Sequence, residues 1–436
     1  MTACTDLLEL FTQNFEGRKR RVTMRSSEED LSSNGGALVL RMLDQQLGLS
    51  RMMAKALDDP RDPERITYDL ATLVLQRVLQ IGLGYEDCND GDKLCHDPAL
   101  LTALELWDNG RSGSQPTLSR VEERCTEDDL SRLFTVWVEQ WLDRLKASGR
   151  RELTLDFDPT DDEVHGHQQL SLWNSYYDER CFLHFLVIDS VSGDIVTPIL
   201  LPGTVYAGKV AVPVLHKLIT LIRRRIPGIH ITVRMDAGFA CPELFACCEE
   251  LRLQYLIALA GNAVLHRLTA ADHAAVSREG GRRYCEFLYQ SETWDHPRHV
   301  IASTFQRGTE TIRQHFVVTN IPIAEEQLYT WYCHRAEGIE NRIKEWKRHI
   351  AADRTSCHGY YANHFRLFLH AAAYTLCKEL HRRLARTDLA TATIETLRLH
   401  LLKVACRIKI THRRIWIALT KHAPALEYYR IAMNSA

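Results

Sequence analysis

The chain has no run of about eighteen apolar residues, the length a helix needs to cross a bilayer, and this sets aside a membrane role. None of its 13 cysteines falls in a Cys-x-x-Cys pair. An odd number of cysteines scattered through a long chain argues for reduced thiols, against both a disulfide framework and a zinc site. The adjacent Cys247 and Cys248 read as helix packing residues. The opening MTACTDLLELFTQNFEGRKRR carries acidic residues and lacks an apolar core followed by a small-residue cleavage site, so the expectation is a cytoplasmic protein. Internal repeats and low-complexity linkers are also missing.

What is there is ordinary globular material: 436 residues, 45% hydrophobic and 25% charged. That length implies two or three domains. The net charge of -2 hides an asymmetry. Residues 331–436 hold 19 Lys+Arg against 8 Asp+Glu, and the rest of the chain is acidic. A basic C-terminal quarter suits a polyanion such as nucleic acid.

Periodicity divides the chain. From Ser32 to Leu145, apolar residues at three and four spacing predict helices in ALVLRMLDQQLGL, YDLATLVLQRVLQIGL and LSRLFTVWVEQWLDRL. In GSQPTLSRVEERC, Ser114 or Thr117 stands at a capping position. Arg120 follows in the first turns, a pattern that fits the second helix of a helix-turn-helix as well as an ordinary polar helix. At Arg151 the texture changes to strand, strand, strand, helix, strand, helix, strand, which predicts a mixed α/β sheet flanked by helices. Short alternating runs between Gly261 and Ile323 predict a strand-rich insertion, and from Leu328 onward the pattern is helical again. The expected units are 1–150, 151–262, 263–325, 326–385 and 386–436.

The stretch LTLDFDPTDDEVHG packs five carboxylates into eight positions. Residues two apart on a strand share a face, so Asp156 and Asp158 sit side by side and repel unless a cation lies between them. Asp236 ends another strand in RMDAGFA, where Gly238 lets the backbone turn. Glu340, Lys344 and Lys347, spaced four and three apart, share one helix face. Carboxylates from separate elements are what a pair of magnesium ions requires, with Lys and Arg holding flanking phosphates. The same residues also fit strand ends and surface ion pairs. His165 and His167 read as hydrogen-bonding partners, and THRRIW around Arg413 fits either a phosphate contact or a solvated helix end.

GYEDCNDGDKL, SQPTLSR, LDFDPTDDEVHGHQQL, RMDAGFACPEL, HFVVTNI and YCHRAEGIENRIKEWK together resemble, in order and from about residue 30 to the C-terminus, the DDE-class transposases of bacterial insertion sequences. The particular likeness is to the insertion-sequence family numbered 1380, in the group with a Y-x2-R-x3-E-x6-K signature. The resemblance implies an RNase H-like catalytic core interrupted by the strand-rich insertion and preceded and followed by helical regions. It implies two Mg2+ ions (Mn2+ may substitute), metal-dependent cleavage and strand transfer at terminal inverted repeats, and a homodimer on double-stranded DNA, both transposon ends and target.

Residue by residue, the first catalytic aspartate maps onto Asp158, with Asp156 as a further metal ligand or its replacement, the second onto Asp236, and the glutamate onto Glu340. Tyr332 and Arg335 match Y-x2-R, and Lys347 completes E-x6-K. Four residues instead of three separate Arg335 from Glu340, which keeps Glu337 as an alternative. Lys347, Arg335, Tyr332 and Lys344 are the expected DNA contacts, with Arg120 from the N-terminal region. Trp294 stands where related transposases stack a tryptophan on a displaced base, and a tryptophan anchoring a small sheet fits the same position. A nuclease that cuts without joining and an inactive sequence-specific DNA-binding protein are the competing functions.

Overall fold

The computed structural model describes residues 8–434, apart from Arg25, Glu28 and Thr309. Its strands, in chain order, are β1 (Leu8–Phe15), β2 (Arg18–Met24), β3 (Leu31–Ser32), β4 (Glu152–Glu163), β5 (Leu172–Asn174), β6 (Glu179–Asp189), β7 (Ile195–Pro202), β8 (His230–Met235), β9 (Gln254–Leu259), β10 (Arg282–Tyr289), β11 (Arg298–Phe305), β12 (Arg313–Thr319), β13 (Cys406–Ile410) and β14 (Ile415–Leu419).

Nine of them form one mixed sheet in the order β10-β11-β12-β9-β8-β4-β6-β5, with β7 also on β6. β4 pairs with β8 in parallel and β8 with β9 in parallel, whereas β6 runs antiparallel to β4. β4 is therefore central. Its Leu153, Leu155 and Phe157 are buried on one face, as the alternation requires. β6 is buried along nearly its whole length, the mark of a strand covered on both faces. β7 keeps Pro198 and Pro202 because it lies at an edge, where a missing N–H breaks no ladder.

Helices cover the sheet. The Glu127–Ala147 helix begins in a capping box: the Thr126 hydroxyl accepts from the Asp129 N–H at 3.2 Å and the Asp129 carboxylate accepts from the Thr126 N–H at 2.9 Å. Its Trp137 reaches β7, where the indole N–H donates to the Ile195 carbonyl at 3.3 Å. The Tyr360–Arg383 helix is buried nearly all round, packed between β7 and the Leu70–Gly82 helix. A charge cluster locks this junction. Glu122 accepts from Arg77 at 2.8 Å and from Arg366 at 3.2 Å, with all three side chains at most 2% exposed. Burial pushes the Glu122 carboxyl up, but the Arg366 and Arg77 guanidiniums more than reverse this and leave it at about 2.

Three regions depart from the periodicity. The 263–325 stretch contains the Ala263–Leu268 and Ala270–Glu279 helices, and its β12 pairs with β9, so the insertion continues the core sheet. The region before residue 150, read as helical, begins with the exposed β1–β2 hairpin. The C-terminal region, also read as helical, holds the β13–β14 hairpin, which joins β3 in a separate three-stranded sheet. There Cys406, Ile408, Ile410, Ile415, Ile417 and Leu419 repeat every second residue, a strand period that four basic residues between them disguise. No helix among the described residues is long and apolar enough to cross a membrane.

Candidate active site

The ladder itself places two aspartates together. Parallel pairing of β4 and β8 runs to Phe157 against Met235, so Asp158 and Asp236 are the next residues on neighbouring strands. Asp236 lies just past the carboxyl end of β8, where open α/β sheets bind ligands, while β4 continues beyond Asp158 to Glu163. Asp236 leaves the strand into a short turn, and its side chain accepts from the Gly238 N–H at 2.8 Å. A Cβ at Gly238 would stand 3.0 Å from the Asp236 Oδ1, which explains the glycine.

The Glu325–Lys344 helix lies across these strand ends. Arg335, 6% exposed, donates to the Phe157 carbonyl at 2.8 Å and to the Asp158 carboxylate at 3.0 Å. Burial raises the Asp158 carboxyl; Arg335 opposes this, Asp236, Asp156 and Glu340 add to it, and the group rests at about 7. Four carboxylates thus act on one locus, with the Arg335 guanidinium opposing them at Asp158. Asp236 is also raised, by burial, against the pull of Arg335 and its backbone hydrogen bond. Tyr332 is pushed up to about 12, by burial first, with Arg335 opposing and the two aspartates adding. It keeps its proton at neutral pH.

Glu340 sits at the rim. Ile339, four residues beyond Arg335, takes the buried position facing the sheet at 2% exposure, and Glu340 is exposed one step around the helix. The extra residue in the signature spacing has this consequence: R-x3-E would put the carboxylate on the Arg335 face. Lys344 shares the exposed line of Glu340. Lys347 does not continue it, because the helix widens into a π turn over Glu345–His349, and the common face expected for the three residues ends before it. Lys347 pairs instead with Asp161 at 3.1 Å. The side chain of Glu337 lies outside the described residues. Among the described residues no three His, Cys, Asp or Glu side chains come close enough to share one metal ion.

Two further expectations are corrected. Asp156 shares the face of Asp158, but it is 2% exposed and both its oxygens are taken by Arg234, at 2.7 and 2.8 Å. Arg234 also donates to the Trp331 carbonyl and Ser190, so Asp156 is a structural counter-charge. Trp294 is buried against Phe245 and Tyr289 with Arg298 over its ring, the packing of a tryptophan that anchors this end of the sheet. Arg120 is exposed on the Gln115–Glu123 helix. His165 and His167 are also exposed, away from any metal-holding group.

Sequence reasoning missed the buried polar chain that meets the π turn at Trp346. β4 continues through Asp162, which is buried instead of lying in a solvated turn. It accepts from His184 Nε2 at 2.9 Å and from the Thr355 hydroxyl at 2.6 Å. The indole N–H of Trp346 donates to His184 Nδ1 at 3.0 Å. The signal was the two-residue alternation from Asp156 to Asp162, obscured by Pro159.

The sequence profile of the family described as transposase DDE domain group 1 matches residues 15–435. The chain belongs to this transposase family. A piggyBac transposase synaptic complex with hairpin DNA is similar over 85% of this chain and 82% of its own, at 10% identity and a TM-score of 0.42. The Mos1 mariner paired end complex with Mn is similar over 74% and 94%, at 14% identity and a TM-score of 0.18. No curated protein sequence matches the chain.

Proposed function

We propose that this chain is the transposase of an insertion sequence of the family numbered 1380, with an RNase H-like core, cutting at terminal inverted repeats and joining the freed end to target DNA. The observation that carries this reading is the adjacency of Asp158 and Asp236 where the parallel pairing of β4 with β8 stops, beneath the helix that bears Arg335 and Glu340.

Asp158, Asp236 and Glu340 would hold the divalent ions. Hard carboxylate oxygens suit Mg2+ or Mn2+; burial raises both the Asp158 and Asp236 carboxyls, neighbouring carboxylates add to this at Asp158, and a bound cation would offset both effects. When bound, such ions activate the attacking hydroxyl and stabilise the leaving oxygen of a phosphodiester. The chain's own groups orient the reaction. Arg335 fixes the β4 strand end through Phe157 and Asp158. Tyr332, which keeps its proton, offers a neutral hydrogen-bond donor beside the strand ends. Lys344 is exposed toward solvent, and Lys347 reaches a phosphate by exchanging Asp161 for it. Two ends cut in concert call for a homodimer on DNA.

The test is cleavage of a labelled duplex carrying the element's ends, with Mg2+, by the intact chain and by Asp158→Ala, Asp236→Ala and Glu340→Ala. Loss of cutting with binding retained supports the reading. Cutting that survives any of these changes removes that residue from the site.

A further inference from the structure

The C-terminal hairpin is a surface to which the proposed active site gives no role. Residues 403–425 carry six Lys or Arg and no Asp or Glu, and every residue from Lys409 to Ala418 is exposed. Cross-strand register sorts the side chains. Arg407 faces Ala418 and Lys409 faces Trp416, so these four share one face. Cys406, Ile408 and Ile410 lie on the other, where Cys406 and Ile408 are buried against Ala99. Trp416 is 56% exposed, and the guanidinium of Arg414 lies 5.7 Å above its ring. Arg407 is held by Glu29 at 2.8 Å, which leaves Lys409, Arg413 and Arg414 to present charge around an open aromatic face.

We propose that this basic face binds the phosphate backbone of duplex DNA at a second contact, on a sheet separate from the one bearing Asp158 and Asp236, with Trp416 packed on the sugar edge between phosphates. The proposal rests on the reading that the chain acts on DNA. An unpaired β14 edge could instead pair with a second copy of the chain. That arrangement would bring two hairpins of the same net sign together, and the cations Arg413, Arg414 and Lys421 that flank β14 are of the kind that blunts an edge strand against such pairing. Cations interleaved with an aromatic ring fit a polyanion that also offers a flat apolar face.

The experiment is fluorescence anisotropy of a short labelled duplex of random sequence, titrated with the full chain across a series of salt concentrations. The variants are Lys409→Ala/Arg414→Ala together, Trp416→Ala, and, as a control for loss of a cation elsewhere, Arg278→Ala, exposed on the Ala270–Glu279 helix. Each phosphate contact contributes about 0.9 to the slope of log affinity against log salt. The double variant is expected to lose about 2 from that slope and to bind about tenfold or more weakly near 0.1 M salt. Trp416→Ala is expected to weaken binding with its slope unchanged, and Arg278→Ala to change neither. The side chains are exposed, so circular dichroism stays that of the intact chain.

If the intact chain binds the duplex and the double variant matches it in affinity and slope, the hairpin is not a DNA contact, while the transposase reading stands. If the variants shift the sedimentation of the free protein and leave the slope alone, a second copy covers the hairpin and the proposal fails. If the intact chain binds no duplex, both fail.

Discussion

The Arg335 guanidinium meets the Asp158 carboxylate at 3.0 Å while also holding the carbonyl of Phe157, so one side chain reads both the backbone and the charge of the strand end. Both contacts run from the same Nη2 nitrogen, and a lysine ammonium, a compact and strongly hydrated point charge on a flexible stem, does not fix that position as well. Arg335→Lys is expected to keep the fold and the net charge but to lower strand cleavage on the order of tenfold to a hundredfold, through misplacement of the Asp158 carboxylate. Single-turnover cleavage at saturating Mg2+ checks this. A rate equal to that of the intact chain would show that charge alone suffices.

Asp156 and Asp158 share a strand face yet should respond oppositely to loss of charge. Asp156→Asn leaves Arg234 buried beside a neutral amide, and breaking such a pair costs about 3–5 kcal/mol. Asp158→Asn relieves repulsion from Asp236, Asp156 and Glu340, so stability in the absence of metal is expected to hold or rise. Denaturant midpoints at neutral pH separate the two; a comparable loss in both variants would refute the division of roles.

The acid limb of stability should belong in part to Glu122. Its carboxyl is held at about 2 in the folded chain against an ordinary value of 4.5, so the proton binds the unfolded state first. The stabilisation is complete above about pH 4.5 and is lost as pH falls toward 2, on the order of 3 kcal/mol in all. Glu122→Gln is expected to flatten the pH dependence of unfolding between those limits and to lower stability above them. An unchanged acid limb in the variant would remove Glu122 as its source.

Trp346 tests the π turn. Trp346→Phe keeps a ring in the buried site and deletes the N–H that reaches His184, at a cost of about 1–3 kcal/mol. If the turn aims Lys347, the variant should also lose cleavage, and Lys347→Ala added to it should cost little more. Full additivity of the two changes would show the turn and the lysine to be independent.

Much of this was legible before any coordinates. Alternation gave β4 and β8 and the aspartate that follows β8, because a strand in a sheet writes its burial into every second residue; β4 itself runs on past Asp158 to Glu163. Arg335, Tyr332 and Glu340 fell on one helix as expected. What failed did so for tertiary reasons. Asp156 differs from Asp158 only because Arg234 arrives from the neighbouring strand, 78 residues away in sequence. Trp294 differs from an exposed platform only through Phe245 and Tyr289. The π turn at Glu345–His349 meets His184, on another element altogether, and the C-terminal hairpin was hidden by basic residues that mimic a helix face.

The junction of Arg77, Glu122 and Arg366 also sets a schedule for synthesis. Glu122 leaves the ribosome 244 residues before Arg366, an interval on the order of ten to fifty seconds at about 5–20 residues per second. Until the Tyr360–Arg383 helix emerges, the N-terminal helices have no buried partner on that side and the cluster stays one cation short. The nascent chain therefore cannot close this junction until Arg366 has been made, and a product truncated before Arg366 is left open to proteolysis.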